Sequence, residues 1–238
     1  MVPPGRNPMR FSELSGPEID RIDRDIPVLL PIARTVPRGP ALPVGIEPKI
    51  LEDIVSRVSG SPFLLLPTPP FASSPTFTGL TGRLATKPTT FAAVVSDLLE
   101  GILAAGFRRI LVLSVEESLS GQVRLTLESV RAENPTSLLF SASLQSLGAA
   151  DFSYIGHVAT AIGLVSEFSP ADLDLPLTPS LPEFIPLNHE ISSTGAVLDP
   201  ASFNREVGLQ LRETSRQNLE KLLHQMTLPV TFQMPTDA

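Results

Sequence analysis

The chain alternates short unbroken apolar runs with longer segments in which apolar residues return every three or four positions. Pro27-Val28-Leu29-Leu30-Pro31-Ile32 is one such run. Phe63-Leu64-Leu65-Leu66, Ile110-Leu111-Val112-Leu113 and Leu138-Leu139-Phe140 are three more. Four to eight apolar residues bounded by turn formers fit a strand buried on both faces. The pattern therefore predicts strands near 27–32, 63–66, 110–113 and 138–141.

The intervening segments carry helical spacing. Glu47-Pro48 opens one, with an acid and an early proline where a helix begins. Ile50, Leu51, Ile54, Val55 and Val58 are its apolar face, and Gly60 ends it. A second starts at Pro88, buries Phe91, Val94, Val95, Leu98, Leu99 and Ile102, and is capped by Gly106. A third spans about 120–132 through Val123, Leu127 and Val130, and a fourth spans about 154–167. The last begins near Pro200 and turns Phe203, Val207, Leu211, Leu219, Leu222 and Met226 inward, and the tail from Pro229 is a loop or an edge strand. Strands and helices alternating in this way imply βαβ units with helices over both faces of a sheet. The expected class is α/β: a three-layer α/β/α sandwich on a mostly parallel central sheet.

Proline and glycine mark the connections. Residues 33–46, 67–87 and 169–200 read as long loops, and loops of that length are usually functional or interfacial. Residues 1–20 read as a flexible or surface-wrapped arm, and 21–238 as one domain. Composition narrows the partners. A net charge of -7 argues against nucleic acid, which favours a basic stripe. No apolar run is long enough to span a bilayer, no secretory leader is evident, and cysteine is absent. A cytoplasmic protein without disulfides is expected. The sequence also lacks a dinucleotide fingerprint, a P-loop and a nucleophile elbow.

Chemistry in parallel α/β folds tends to lie just past the carboxyl ends of strands. Past the central strand stand Ser114, Val115, Glu116 and Glu117. These acids suit either a binding role or a plain helix N-terminus. Arg34, Arg38 and Arg83 lie in loops on the same side, where they would suit a carboxylate or phosphate ligand. Of the histidines, His157 and His189 (beside Glu190) are candidate site residues, and His224 falls in the last helix as a structural residue.

Several segments resemble the creatininase (creatinine amidohydrolase) family. The family's motif Leu-Pro-x-Gly-x-x-Glu-x-His-Gly-Pro-His-Leu-Pro-x-Gly-x-Asp is matched in frame from Leu30-Pro31 through Gly39-Pro40 and Leu42-Pro43 to Gly45. Its Glu falls on Val36, its two His on Arg38 and Ala41, and its Asp on Glu47. A second family segment aligns with Phe71 to Arg83, keeping Ser74 and Gly82, while its His becomes Phe77. Ala105-Gly106-Phe107-Arg108-Arg109-Ile110-Leu111-Val112-Leu113 is the nearest match, but the following Asn-Gly-His-Gly-Gly-Asn is here Ser114 to Leu119, and its His falls on Glu116. Near Gly156-His157, the family's last ligand, a Glu, falls on Ala159 or Thr160, depending on the anchor.

The resemblance covers roughly 27–172 and implies the family's fold, a tendency to oligomerise (commonly as hexamers) and a binuclear metal amidohydrolase ancestry. It equally implies lost ligands: only Glu47 and Glu116 survive as metal-ligand candidates. The expected protein is a non-catalytic relative with no catalytic residues and no cofactor beyond a weak divalent ion. Its role would be structural, in assembly, or in binding a small molecule. The alternatives are an active metal-dependent amidohydrolase on a cyclic amide or related C–N bond, and an anionic-ligand domain using Arg38. The vestigial pocket is expected to hold Arg38, Glu47, Ser74, Glu116 and His157, with an Arg38–Glu116–Glu47 ion cluster filling the former metal cavity. A homo-oligomer, a small anionic ligand and no membrane are the expected partner pattern.

Overall fold

The computed structural model describes residues 8–37, 43–148 and 205–229 of the 238-residue chain. The expected helix at 154–167, His157, His189, Arg38 and the tail beyond Pro229 lie outside them. In chain order the described elements are β1 (Met9–Arg10), α1 (Gly16–Asp20), β2 (Val28–Pro31), α2 (Ile46–Ser56), β3 (Leu64–Leu65), α3 (Pro88–Ala104), β4 (Arg109–Ser114), α4 (Glu117–Glu133), β5 (Leu138–Ser143), α5 (Leu144–Gly148) and α6 (Arg205–Thr227). The sheet order is β1-β3-β2-β4-β5, and every pairing between these strands is parallel.

Alternation along the buried strands divides one set of apolar runs between two cores. Leu29, Phe63, Leu65, Leu111 and Leu113 point to one face, where α2 brings Ile50 and Ile54 and α6 brings Leu219 and Leu223. Val28, Leu30, Leu64, Leu66, Ile110 and Val112 point to the other, under Phe91, Val95 and Leu99 of α3 and Val123 and Leu127 of α4. That is the expected three-layer sandwich. A strand buried on both faces has no polar positions, so the runs are continuous rather than alternating.

Three local features differ from the sequence expectation. Residues 8–20, part of the expected arm, contribute an edge strand on β3 and a short helix opened by a capping box between Ser15 and Glu18. Helix α2 stops at Ser56, ahead of Gly60, which takes φ 90° in the turn that follows. In α3 the buried ladder is Phe91, Val95, Leu99 and Leu103, while Val94 and Leu98 remain 43% and 38% exposed. The i, i+4 ladder covers β2 and β4. The flank bearing Val94 and Leu98 faces the end of the sheet where β1 and β3 are only two residues long. Gly106 closes α3 as expected, at φ 96°.

Candidate functional site

The chain runs from β2 outward to β3 on one side, then returns to β4 on the other side of β2. Between β2 and β4 the order reverses, and the loops leaving their carboxyl ends diverge to opposite faces. Such a switch point is where open α/β sheets form their crevice. The loop after β2 carries Arg34 and the loop after β4 carries Glu116.

These two side chains meet in the crevice. Arg34 Nη1 donates to Glu116 Oε2 at 2.7 Å, and each side chain is 2% exposed. The other guanidinium nitrogens are also engaged. Nη2 donates to Ser118 Oγ at 3.0 Å, and Nε donates to the Ser73 carbonyl at 3.1 Å. The backbone N–H of Arg34 donates to Glu47 Oε2 at 2.9 Å. One arginine thus ties together the loops that follow β2, β3 and β4 and the start of α2. A buried charge is tolerated when it is paired and its donors are satisfied, and here all three guanidinium nitrogens have acceptors.

Local sequence explains the placement of the carboxylates. Glu47 is the second residue of α2, and Glu116 occupies the N-cap of α4. Both lie at the positive end of a helix dipole, which offsets part of the cost of burying an anion. The turn at Glu116 is held by Ser114 Oγ donating to the Glu116 carbonyl at 2.9 Å. Glu117 faces away from this centre and accepts from Ser143 Oγ at 2.7 Å, fastening α4 to the end of β5.

The sequence-predicted site residues separate as follows. Glu47 and Glu116 are brought to one centre, and both are buried. Ser74 is buried in the neighbouring loop, where its carbonyl accepts from Arg83 Nε at 2.9 Å. Arg38 and His157 lie outside the described residues. Arg34 joins Glu116, and the Arg38 member of the expected Arg38–Glu116–Glu47 cluster falls among the residues not described. His224 is structural as expected, its Nδ1 3.0 Å from Ser61 Oγ. The sequence places Arg34 among the loop arginines but does not assign it the pairing with Glu116, and it does not single out Ser118 at all. The available signal was charge balance: an acid buried at the end of a central strand needs a cation from a neighbouring loop.

The described residues do not fit a binuclear metal centre. Among the described residues no group of three or more His, Cys, Asp or Glu side chains can hold an ion. At two positions where the resemblance puts family ligands, Val36 and Phe77 pack with Leu80 into a small buried apolar cluster. Neither offers a lone pair to a metal. A third position, Glu116, is committed to the Arg34 guanidinium at 2.7 Å. A divalent ion about 4 Å from that charge would be opposed by roughly 8 kcal/mol at an effective dielectric near 20.

Comparison with known proteins gives a consistent answer. The family model described as creatininase (creatinine amidohydrolase) matches residues 12–163. A crystal structure of creatinine amidohydrolase (creatininase) superposes with TM-score 0.77 at 16% identity, over 94% of this chain and 100% of that one. A structure named creatininase Mn gives 0.74 at 16% over the same shares. A protein from Bacteroides fragilis named as a putative creatinine amidohydrolase gives 0.67 at 18%, over 96% of this chain and 100% of that one. At such identities these structures share the fold alone. No curated protein matches the sequence. With 152 consecutive residues under the family model and the switch-point crevice in place, this chain belongs to the creatininase (creatinine amidohydrolase) family.

Proposed function

We propose that this chain is a non-catalytic member of its family, in which an internal cation, the Arg34 guanidinium, stands where relatives would assemble metal ligands. Its role is structural, in assembly or small-molecule binding, without hydrolysis of an amide. One observation carries this reading: Arg34 is buried against Glu116, Ser118 and Ser73, with its own N–H on Glu47. Hydrolysis of an unactivated amide near neutral pH needs a strong nucleophile and stabilisation of the oxyanion. The described crevice supplies a carboxylate already neutralised by an arginine. Self-association belongs to the same proposal, supported by the low charged fraction and the long Pro-rich loops available to wrap a neighbour.

The test is a crystal structure of metal-supplemented protein with anomalous scans at the zinc and manganese edges, alongside a creatinine hydrolysis assay. The expected result is no anomalous peak within reach of Glu47 and Glu116, and no turnover. Two peaks about 3.5 Å apart in that crevice, with turnover, would restore the hydrolase. Light scattering at micromolar concentration tests assembly, and a lone 25.5 kDa species would remove it.

A further inference from the structure

A second cavity lies away from the switch point, on the face of the sheet covered by α3. Its volume is about 540 Å³, within the ~300–1,000 Å³ range of small-molecule sites. Leu30 and Leu66 form part of its floor, Leu98 and Gly101 of α3 one wall, and Phe11 and Pro70 lie on its other sides. Among the described residues the lining is apolar apart from Thr68 and Asp97, and Asp97 is the one charged residue among them. Asp97 is exposed, which places the charge at the mouth and the apolar surface behind it.

Two further observations show that the described elements around this space do not fill it. Leu98 carries the apolar pattern of a core residue yet stays 38% exposed on the cavity wall. Gly101 stands inside α3, where glycine costs about 1 kcal/mol relative to alanine. No steric contact requires that glycine, since a Cβ added there meets nothing within 4 Å. The fold's own packing does not account for it, whereas preserving room for a ligand does.

We propose that this cavity binds a small apolar amphiphile with a cationic, hydrogen-bond-donating end, its hydrocarbon body against the sheet and its amine at Asp97. The shape of the lining sets the order of the two parts: hydrocarbon is driven inward by burial, and the ammonium stays at the wet rim beside the carboxylate. None of Glu47, Ser73, Glu116 and Ser118, the hydrogen-bond partners of Arg34, lines this cavity.

The test is calorimetric titration of the full chain with n-octylamine, n-octanol and octanoate. Octylamine is expected to bind saturably, with octanoate weaker by up to about fivefold, the upper scale of one exposed ion pair. Asp97→Asn should bring octylamine down to the level of octanol. Gly101→Leu should abolish binding of all three, with a melting temperature no lower than that of the parent. Ala105→Leu, at another point of the lining, serves if Gly101→Leu fails to fold. No saturable binding, or binding untouched by the filling substitution, overturns the proposal. So does a subunit number by light scattering that falls when Gly101 is filled, because the occupant would then be a second copy of the chain.

Discussion

Arg34 and Glu116, 82 residues apart in sequence, form an ion pair at 2.7 Å with both side chains 2% exposed. The pair joins the loops leaving two adjacent parallel strands at the point where strand order reverses. It therefore crosses the crevice that would otherwise be available for chemistry. Such pairs are costly to desolvate and costlier to break, because a single removal strands a buried charge.

Removing one partner should be more harmful than removing both. Arg34→Ala or Glu116→Ala is expected to cost about 3–5 kcal/mol in denaturant unfolding. Replacing the pair together by Met and Leu should cost less than either single change. Arg34→Lys keeps the charge but cannot reach Glu116, Ser118 and Ser73 at once, so a loss of about 1.5–3 kcal/mol is expected. A double variant as unstable as the sum of the singles would refute this coupling.

Restoring one family-like ligand should not restore a site. Phe77 is fully buried against Val36 and Leu80. Phe77→His would leave a gap and bury an imidazole among apolar neighbours, costing about 2–4 kcal/mol. Zinc titration of this variant should give no stabilisation. A rise in melting temperature with zinc would show that the crevice still accepts an ion.

Helix α3 offers a test of its layer assignment. Leu99 is fully buried between the sheet and its neighbours, so Leu99→Ala should cost about 2–5 kcal/mol. Val94, on the exposed flank, should tolerate glutamine within about 0.5 kcal/mol. Equal losses at the two positions would place α3 in a different rotation about its axis.

The last helix carries a pH-dependent contact. Arg216 donates to both oxygens of Glu213, with Gln217 adding a third bond, and together they hold the Glu213 carboxyl down at about 2, from an ordinary value of 4.5. A carboxyl depressed in the folded state stabilises fully above its unfolded value and loses that contribution as pH falls toward its folded one. The site is open to solvent, so the effect is small. The melting-temperature gap between the parent and Arg216→Gln should therefore be present at pH 6 and shrink through the window from pH 4.5 to about 2. A gap of constant size across that range would assign Arg216 a purely packing role.

Much of the fold was legible in the chain. Four strands and the helices α2, α3, α4 and α6 follow from runs and periods, because burial on both faces forces apolar continuity and burial on one face forces a helical stripe. The edge strand Met9–Arg10 was not legible. Two residues form no pattern, and this strand exists because β3 presents an open edge to it. The exposure of Leu98 was equally hidden. Periodicity places it on the apolar side of α3, but only the width of the sheet beneath determines whether that side is covered.

The candidate site divides along the same line. The sequence by itself already made missing chemistry readable: Val36 and Phe77 stand where the resemblance puts family ligands, and hydrocarbon cannot coordinate a metal in any arrangement. It also located Glu47 and Glu116 at helix starts past strand ends. Which cation answers those carboxylates was decided by tertiary structure alone. Arg34 and Arg83 both sit in loops beside the crevice, equally charged and equally long. The choice of Arg34 rests on three acceptors — Glu116, Ser118 and Ser73 — converging within hydrogen-bonding distance. That convergence depends on the relative positions of three loops from separate strands, which the parallel register of the sheet sets and no local pattern encodes.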